Sequence, residues 1–206
     1  MAKIDRAARA EELNAFDAQY RASGAVVAGM DEAGRGPLVG SVVTACVVMP
    51  ADSRILWVDD SKKLSESRRE KLFDEITANA LYVGVGIASA KEIDEINILQ
   101  ATKNAMRRAA AKVPADIFLI DAVTNLGLNG LEVPIIKGDA TSYNIAAASI
   151  IAKVTRDRML IELDKQYPEY GFARNKGYGT AEHIEALKRL GPCPEHRRSF
   201  IGHFWP

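Results

Sequence analysis

The stretch Gly29-Met30-Asp31-Glu32-Ala33-Gly34-Arg35-Gly36-Pro37-Leu38-Val39-Gly40 decides how this chain is to be read. An apolar run, Ala25 to Met30, meets two adjacent acids and then a glycine-rich bend. A buried-strand pattern cannot close on two carboxylates unless something partners them, because an unpaired buried carboxylate is very costly to desolvate. A divalent metal is such a partner. The bend that follows offers bare backbone amides and one guanidinium to whatever docks beside the metal. The stretch therefore reads as an active-site element rather than a structural turn.

Working outward, Ala25–Asp31 and Val39–Met49 are Val-rich, glycine-bounded runs and are expected to be two strands joined by that bend. Residues 5–22 have the composition of a helix or a partly ordered arm. Ser65–Ala80 carries Leu72, Phe73 and Ile76 on one helical face, and Leu81–Ala88 alternates as a third strand. Lys91–Lys112 is predicted as a long helix, Ala115–Ala122 as a strand closing on Asp121, and Val133–Lys137 as another, followed by Gly138-Asp139. Thr141 to Tyr167 is predicted helical, Gly171–Gly179 a loop, Ala181–Leu190 a short helix, and the tail from Gly191 a separate cap. Adjacent early strands imply antiparallel pairing and helix-linked later strands imply parallel pairing, so the expected architecture is a mixed α/β sheet flanked by helices. The expected division is a helical arm over 1–22, a catalytic domain over 23–170, and a helical cap over 171–206 that carries Tyr178.

Asp31, Glu32, Asp121 and Asp139 all fall at strand ends in this reading, and strand ends are where ligands gather in such sheets. Mg²⁺ takes hard oxygen ligands, so carboxylates from different strands suit it. No His or Cys spacing suggests zinc. Taken singly, Asp139 could be a helix N-cap, Asp121 a loop acid and Asp31-Glu32 a turn pair; Thr141 and Ser142 are also available as caps. All of these acids falling at strand termini by coincidence is the weaker explanation.

Ser61-Lys62-Lys63 sets two lysines beside hydroxyls ahead of a helix start, a phosphate-holding arrangement or simply a solvated helix entry. Ser142 and Asn144 are placed to reach a nucleic-acid backbone from the next helix. Lys153, Arg156 and Arg158 read as that helix's polar face. Tyr178, between Gly177 and Gly179, could stack on a sugar or base, or anchor its loop. His196-Arg197-Arg198-Ser199-Phe200 is a basic cluster that reads most simply as a solvated tail.

Composition sets the bounds. With 206 residues and 48% apolar content the chain can bury a core, and 27 basic residues balance 27 acidic ones. That excludes a polycationic nucleic-acid coat but not a local basic patch. Cys46 and Cys193 lie far apart, Cys46 within an apolar run. With a charged N-terminus and no run of 18 apolar residues, the expectation is a cytoplasmic protein with reduced thiols and no membrane contact. The lack of coiled-coil periodicity suggests a monomer, and no replication-clamp contact is readable.

GMDEAGRGPLVG (29–40), DDSKKLS (59–65), EIDEINIL (92–99), LIDA (119–122), KGDATSYNIAAASIIAKVTRD (137–157), GFARNKGYGT (171–180) and HRRSF (196–200), in that order, resemble bacterial ribonuclease HII, of the type 2 ribonuclease H family. The likeness spans residues 25–202. Ser41 is a departure, standing where the family often has Pro, on the strand beyond the bend. The resemblance implies a ribonuclease H-like fold with a small C-terminal helical region. It implies endonucleolytic cutting of RNA paired with DNA, including at a single ribonucleotide in duplex DNA, as in ribonucleotide excision repair. Asp31, Glu32, Asp121 and Asp139 then correspond to the family's acids, holding two Mg²⁺ or Mn²⁺ ions with Asp31 bridging them, and the products carry 5′-phosphate and 3′-hydroxyl ends. Gly34-Arg35-Gly36 and Tyr178 correspond to its sensors of the step from RNA to DNA. The competing readings are a metal-dependent nuclease of the same fold without a ribose requirement, and a noncatalytic hybrid-binding module. A nucleotide-binding enzyme fits least, since no phosphate-loop motif is present.

Overall fold

The computed structural model describes residues 5–21 and 24–205. The expected boundary between residues 22 and 23 lies outside the described residues. Five strands form one sheet: β1 (Val27–Ala33), β2 (Val42–Val48), β3 (Tyr82–Ala88), β4 (Ile117–Asp121) and β5 (Leu131–Ile135). Their spatial order is β3-β2-β1-β4-β5. β1 pairs antiparallel with β2, and β2 with β3, while β4 runs parallel to β1 and β5 parallel to β4. This is the mixed sheet the sequence predicts. In register, Asp31 faces Ala45 of β2, and Met30 faces Ile120, one residue before Asp121, on β4. The acids of β1 and β4 are thereby brought to one end of adjacent central strands.

The helices are α1 (Arg6–Ala18), α2 (Glu66–Asn79), α3 (Ala90–Ala110), α4 (Tyr143–Gln166), a single turn α5 (Phe172–Asn175), α6 (Ala181–Leu190) and a second turn α7 (Arg198–Ile201). Ser65, Ser89, Ser142 and Thr180 cap α2, α3, α4 and α6 by accepting a backbone N–H three residues on, which satisfies an otherwise orphan donor. Strand alternation divides the core. Ala45, Val47 and Met49 pack with α1, α2 and α4 through Leu13, Leu72, Ile76 and Ile150. Met30, Cys46 and Val48 pack on the opposite face with Met106 and Ala109 of α3. At Gly29 a Cβ would lie 2.1 Å from the Asn144 carbonyl carbon, so only glycine lets the start of α4 press against β1 two residues from Asp31.

Boundaries differ from expectation in ways that have local causes. β1 runs on through Ala33, so Asp31 and Glu32 sit inside the strand rather than at its closing residue. Residues 39–41 are not strand: Gly40 takes φ +79°, and Val39 bridges His196. α3 breaks at Asn97 (φ 68°), whose side chain accepts from Leu99 N and Gln100 N and restarts the helix. The expected 171–179 loop contains the α5 turn. α1 packs onto the core: Ala10 and Leu13 are buried in the main cluster, and the Asp17 carboxylate accepts from Asn144 N at 2.9 Å.

Candidate active site

One carboxylate oxygen each from Asp31, Asp121 and Asp139 lie within 4.8 Å of one another. Asp31 comes from β1, Asp121 is the last residue of β4, and Asp139 stands in a 3₁₀ turn after β5 that Lys137 enters in the left-handed conformation. Two of the acids are held by backbone donors: Gly138 N donates to Asp121 Oδ1 at 2.8 Å and Glu32 N to Asp31 Oδ1 at 2.7 Å. Asp139 does not cap α4; Ser142 does, and the acid is left free for the cluster.

Glu32 lines the same cleft but stands apart from the triad. The pleat sends neighbouring side chains to opposite faces, so adjacent acids in a strand diverge. Its Oε1 lies 3.7 Å from Arg35 Nη1, and its Oε2 is buried without a hydrogen-bond partner. Burial first, then Glu32, Asp121 and Asp139, hold the Asp31 carboxyl well above the usual carboxylate range. Burial raises Glu32 as well, with Arg35 and Lys62 opposing. Asp139 is raised by burial and by Asp60 and Asp121, against the pull of Lys62. An oxygen-only cluster that is buried, mutually repelling and short of cationic partners fits a hard divalent cation: Asp31, Asp121 and Asp139 would hold it, with Glu32 Oε2 available.

The cleft continues from the acids along Ala33, Gly34, Arg35 and Gly36, with Ser61, Lys62, Lys153, Arg156 and Tyr178 completing its walls. Tyr178 is about half exposed, and its ring stands 3.8 Å from where a Cβ on Gly36 would be. Lys62 Nζ lies 3.6 Å from Asp139 Oδ2, and Lys63 pairs with Asp60 at 3.7 Å. Burial disfavours the Lys62 charge, but Asp139, Asp31, Asp60 and Asp121 together outweigh it and raise its pKa.

Two expected contacts do not reach this surface. Ser142 and Asn144 are fully buried, because the first turns of α4 pack on every side. The Asn144 side chain donates to Val27 O and accepts from Met49 N, both at 2.9 Å, so its amide is spent tying β1 to the residue after β2 in the interior.

Two arginines that the sequence places on a polar helix face and in a solvated tail are interior. Arg156 and Arg197 are 2% and 0% exposed, and both hydrogen-bond around the glycine-rich bend. A sign of this was present for Arg156, which follows Ile145, Ser149 and Ala152 at helical spacing on a stripe that is otherwise apolar or small. Nothing comparable marks Arg197. Asp60, whose carboxylate accepts from Lys62 N, also faces Asp139, and no pattern in the sequence marks it for that place.

Acids that outnumber the cations around them, beside a surface presenting lysines and a glycine-rich bend, suit a phosphodiester held through metal, and fold and site together define a nuclease of the ribonuclease H-like class. A profile of the family described as ribonuclease HII matches residues 28–204. A ribonuclease HII of Acetivibrio thermocellus is 57% identical over 195 residues, covering 94% of this chain and 75% of that protein. Among solved structures, ribonuclease H2 of Pyrococcus horikoshii superposes with TM-score 0.72 at 31% identity, over 84% of this chain and 92% of that one. Ribonuclease HII of Archaeoglobus fulgidus, solved in complex with PCNA, gives 0.74 at 29% identity, over 86% and 96%. The chain belongs to the ribonuclease HII family and is a ribonuclease H, an enzyme acting on RNA/DNA substrates.

Proposed function

We propose that this enzyme hydrolyses the RNA strand of RNA/DNA hybrids and also cuts at single ribonucleotides embedded in duplex DNA, with two Mg²⁺ or Mn²⁺ ions in the active complex and 5′-phosphate and 3′-hydroxyl products. The observation that supports it is the sharing of one cleft by Asp31 and Glu32, the Gly34–Gly36 bend and Tyr178, with Asp121 and Asp139 clustered on Asp31. Asp31, Asp121, Asp139 and Glu32 would hold the ions, which when bound supply an activated water and neutralise charge at the scissile phosphate.

The chain's own groups do the selecting. Ser61, Lys62 and Lys63 hold the phosphate backbone as it passes the acids. Glycine at 34 and 36 lets the main chain approach a sugar closely enough for its amides to meet a 2′-hydroxyl, the one backbone group that distinguishes RNA from DNA. Tyr178 packs across from Gly36 on the neighbouring deoxyribose, where an added hydroxyl would clash. The buried free thiols Cys46, pushed up to about 12 by burial, and Cys193 support a reducing, cytoplasmic setting.

The test is a labelled DNA duplex carrying one ribonucleotide, run beside an all-DNA duplex with Mg²⁺, with Mn²⁺ and with chelator. One cut at the ribonucleotide, only with metal, is expected. Equal cutting of the all-DNA duplex would make this a nuclease indifferent to ribose, and binding without metal-dependent turnover would make it a noncatalytic module.

A further inference from the structure

Arg197 is completely buried in the C-terminal cap, yet no carboxylate pairs with it among the described residues. Its guanidinium donates only to carbonyls of the bend: Nη2 to Gly34 O at 2.6 Å, Nη1 to Arg35 O at 3.0 Å and Pro37 O at 2.8 Å, and Nε to Gly40 O at 2.9 Å. Arg156 reaches the same bend from α4, donating to Val39 O and Ser41 O at 3.2 Å, and to Lys176 O, two residues from Tyr178, at 3.0 Å. Its shaft lies directly under Gly34, where a Cβ would meet Arg156 Nε at 2.1 Å. The nearby acids are otherwise engaged: Asp157 pairs with Lys153 and Arg69, and Asp94 accepts from Arg198 N and Ser199. Two buried like charges, solvated chiefly by carbonyl dipoles and in direct contact with no carboxylate, are expensive to desolvate and call for a reason.

The reason lies in peptide geometry. In a planar trans peptide the C=O and the following N–H point in opposite directions, and no described bond is cis. Drawing the carbonyls of Gly34 and Arg35 onto Arg197 therefore turns the amides of Arg35 and Gly36 away from it, on the side lined by the cleft. The Pro37–Leu38 peptide of the same bend follows the rule. Pro37 O meets Arg197 while Leu38 N points the other way, to Gly177 O in the Tyr178 loop at 2.8 Å. A second tie comes from the same tail: His196 Nε2 meets His183 Nε2 at 3.0 Å, and His183 Nδ1 donates to Tyr178 O at 2.8 Å.

We propose that Arg197, with Arg156, is a positioning residue for ribose recognition: the pair aims the Arg35 and Gly36 amides at the 2′-hydroxyl and locks the bend to the Tyr178 loop. This rests on the ribose-reading function proposed above. Lysine cannot replace either residue, since one ammonium cannot span carbonyls from Gly34 to Gly40 as a planar fork does.

The experiment measures binding of two duplexes, all-DNA and singly ribonucleotide-substituted, to an Asp121→Asn parent that leaves them uncut, and to the same parent carrying Arg197→Lys or Arg156→Lys. The parent should prefer the ribonucleotide duplex. Arg197→Lys should cut that preference by roughly tenfold, the scale expected when about one hydrogen bond to the 2′-hydroxyl is lost. All-DNA binding and Mn²⁺ affinity should hold, which general unfolding would not allow. A parent without preference sinks the ribose reading itself. A parent with preference that both lysine variants retain overturns the role of the arginines. Should Arg197→Lys fail to fold, by loss of its thermal transition, undiminished preference in Arg156→Lys alone overturns it.

Discussion

Two clusters of like charge are buried at the same end of this molecule, and they are completed in opposite ways. Arg156 and Arg197 are as inaccessible as any leucine, and each spends its donors on main-chain carbonyls supplied by the fold. Asp31 and Asp139 are nearly as buried, at 5% and 7% exposed, but the protein brings them mostly further acids, together with one lysine and a few amides. The cationic cluster is finished on folding and holds the bend in shape. The anionic one is left short of cations, which is the property that the proposed metal-holding role of these acids requires. Completion by the fold marks architecture, and a deficit marks function.

The sharpest way to break that contrast is Asp31→Asn. Cleavage should fall by about 1,000-fold or more, on the scale of losing a central group in charge stabilisation. Without metal, the same change should make the protein more stable. The sign follows from the raised Asp31 pKa: a carboxyl raised by folding contributes stability that is full below its unfolded value and is lost as pH rises through the folded one. Thermal melts in chelator at neutral pH should therefore show the variant above wild type, with the gap closing at pH 4. A variant that melts lower at both pH values would mean that the acids are not frustrated. Next in size, Tyr178→Ala should lower cutting at a lone ribonucleotide by about 5- to 150-fold, the range spanned by losing about one to three kcal/mol of stacking. Unchanged rates would remove Tyr178 from the reading of the sugar.

The same contrast explains what was legible. Asp31 and Asp121 are conspicuous because each carboxylate closes an unbroken apolar run, and Ser65 and Ser142 announce helix starts through their own chemistry. The arginine pair leaves no such mark. Arginine usually lies at the surface, and Arg197 is made an interior residue only by carbonyls 157 to 163 positions away in the chain. Asn144 misled for a related reason. α4 is buried over most of its first turns, so an amphipathic reading of it had no polar face to find. Boundaries such as Val39–Ser41 depend on the cap, through the Val39–His196 bridge, and cannot be read locally.

Acid should also separate the clusters. His183 and His196 share one hydrogen bond and are both held down by burial, His196 to about 4, helped by His183. A lowered histidine contributes stability that is full above its unfolded pKa and is lost as pH falls through the folded value. Between pH 6.5 and 4 the cap should lose about 3 kcal/mol on account of His196, over the interval in which the metal-free acids become easier to bury. The chain has two tryptophans, and Trp205 packs in the cap beside Gly191, so its fluorescence in a Trp57→Phe variant follows that region alone. Denaturant midpoints that stay flat from pH 7 to 4 would show the histidines to be uncoupled from cap stability.

The smallest effect is expected at Lys62, the cation nearest the acids. Its side chain is mostly exposed and its Nζ lies 3.6 Å from Asp139, so in the free protein it partly answers the anionic deficit. A metal ion on Asp139 would take over that task and release the ammonium to a phosphate. Lys62→Ala should then weaken duplex binding in Mg²⁺ and reduce the slope of log affinity against log salt by about 1, because one fewer counterion is displaced. The bond that is cut should not change, since an ammonium on a flexible stem reads charge and not the sugar. A shifted cleavage position would place Lys62 with the bend and Tyr178 among the groups that choose the ribose. An unchanged salt slope would mean that it serves Asp139 alone, and that the acids draw more of their compensation from the protein than the contrast with Arg197 allows.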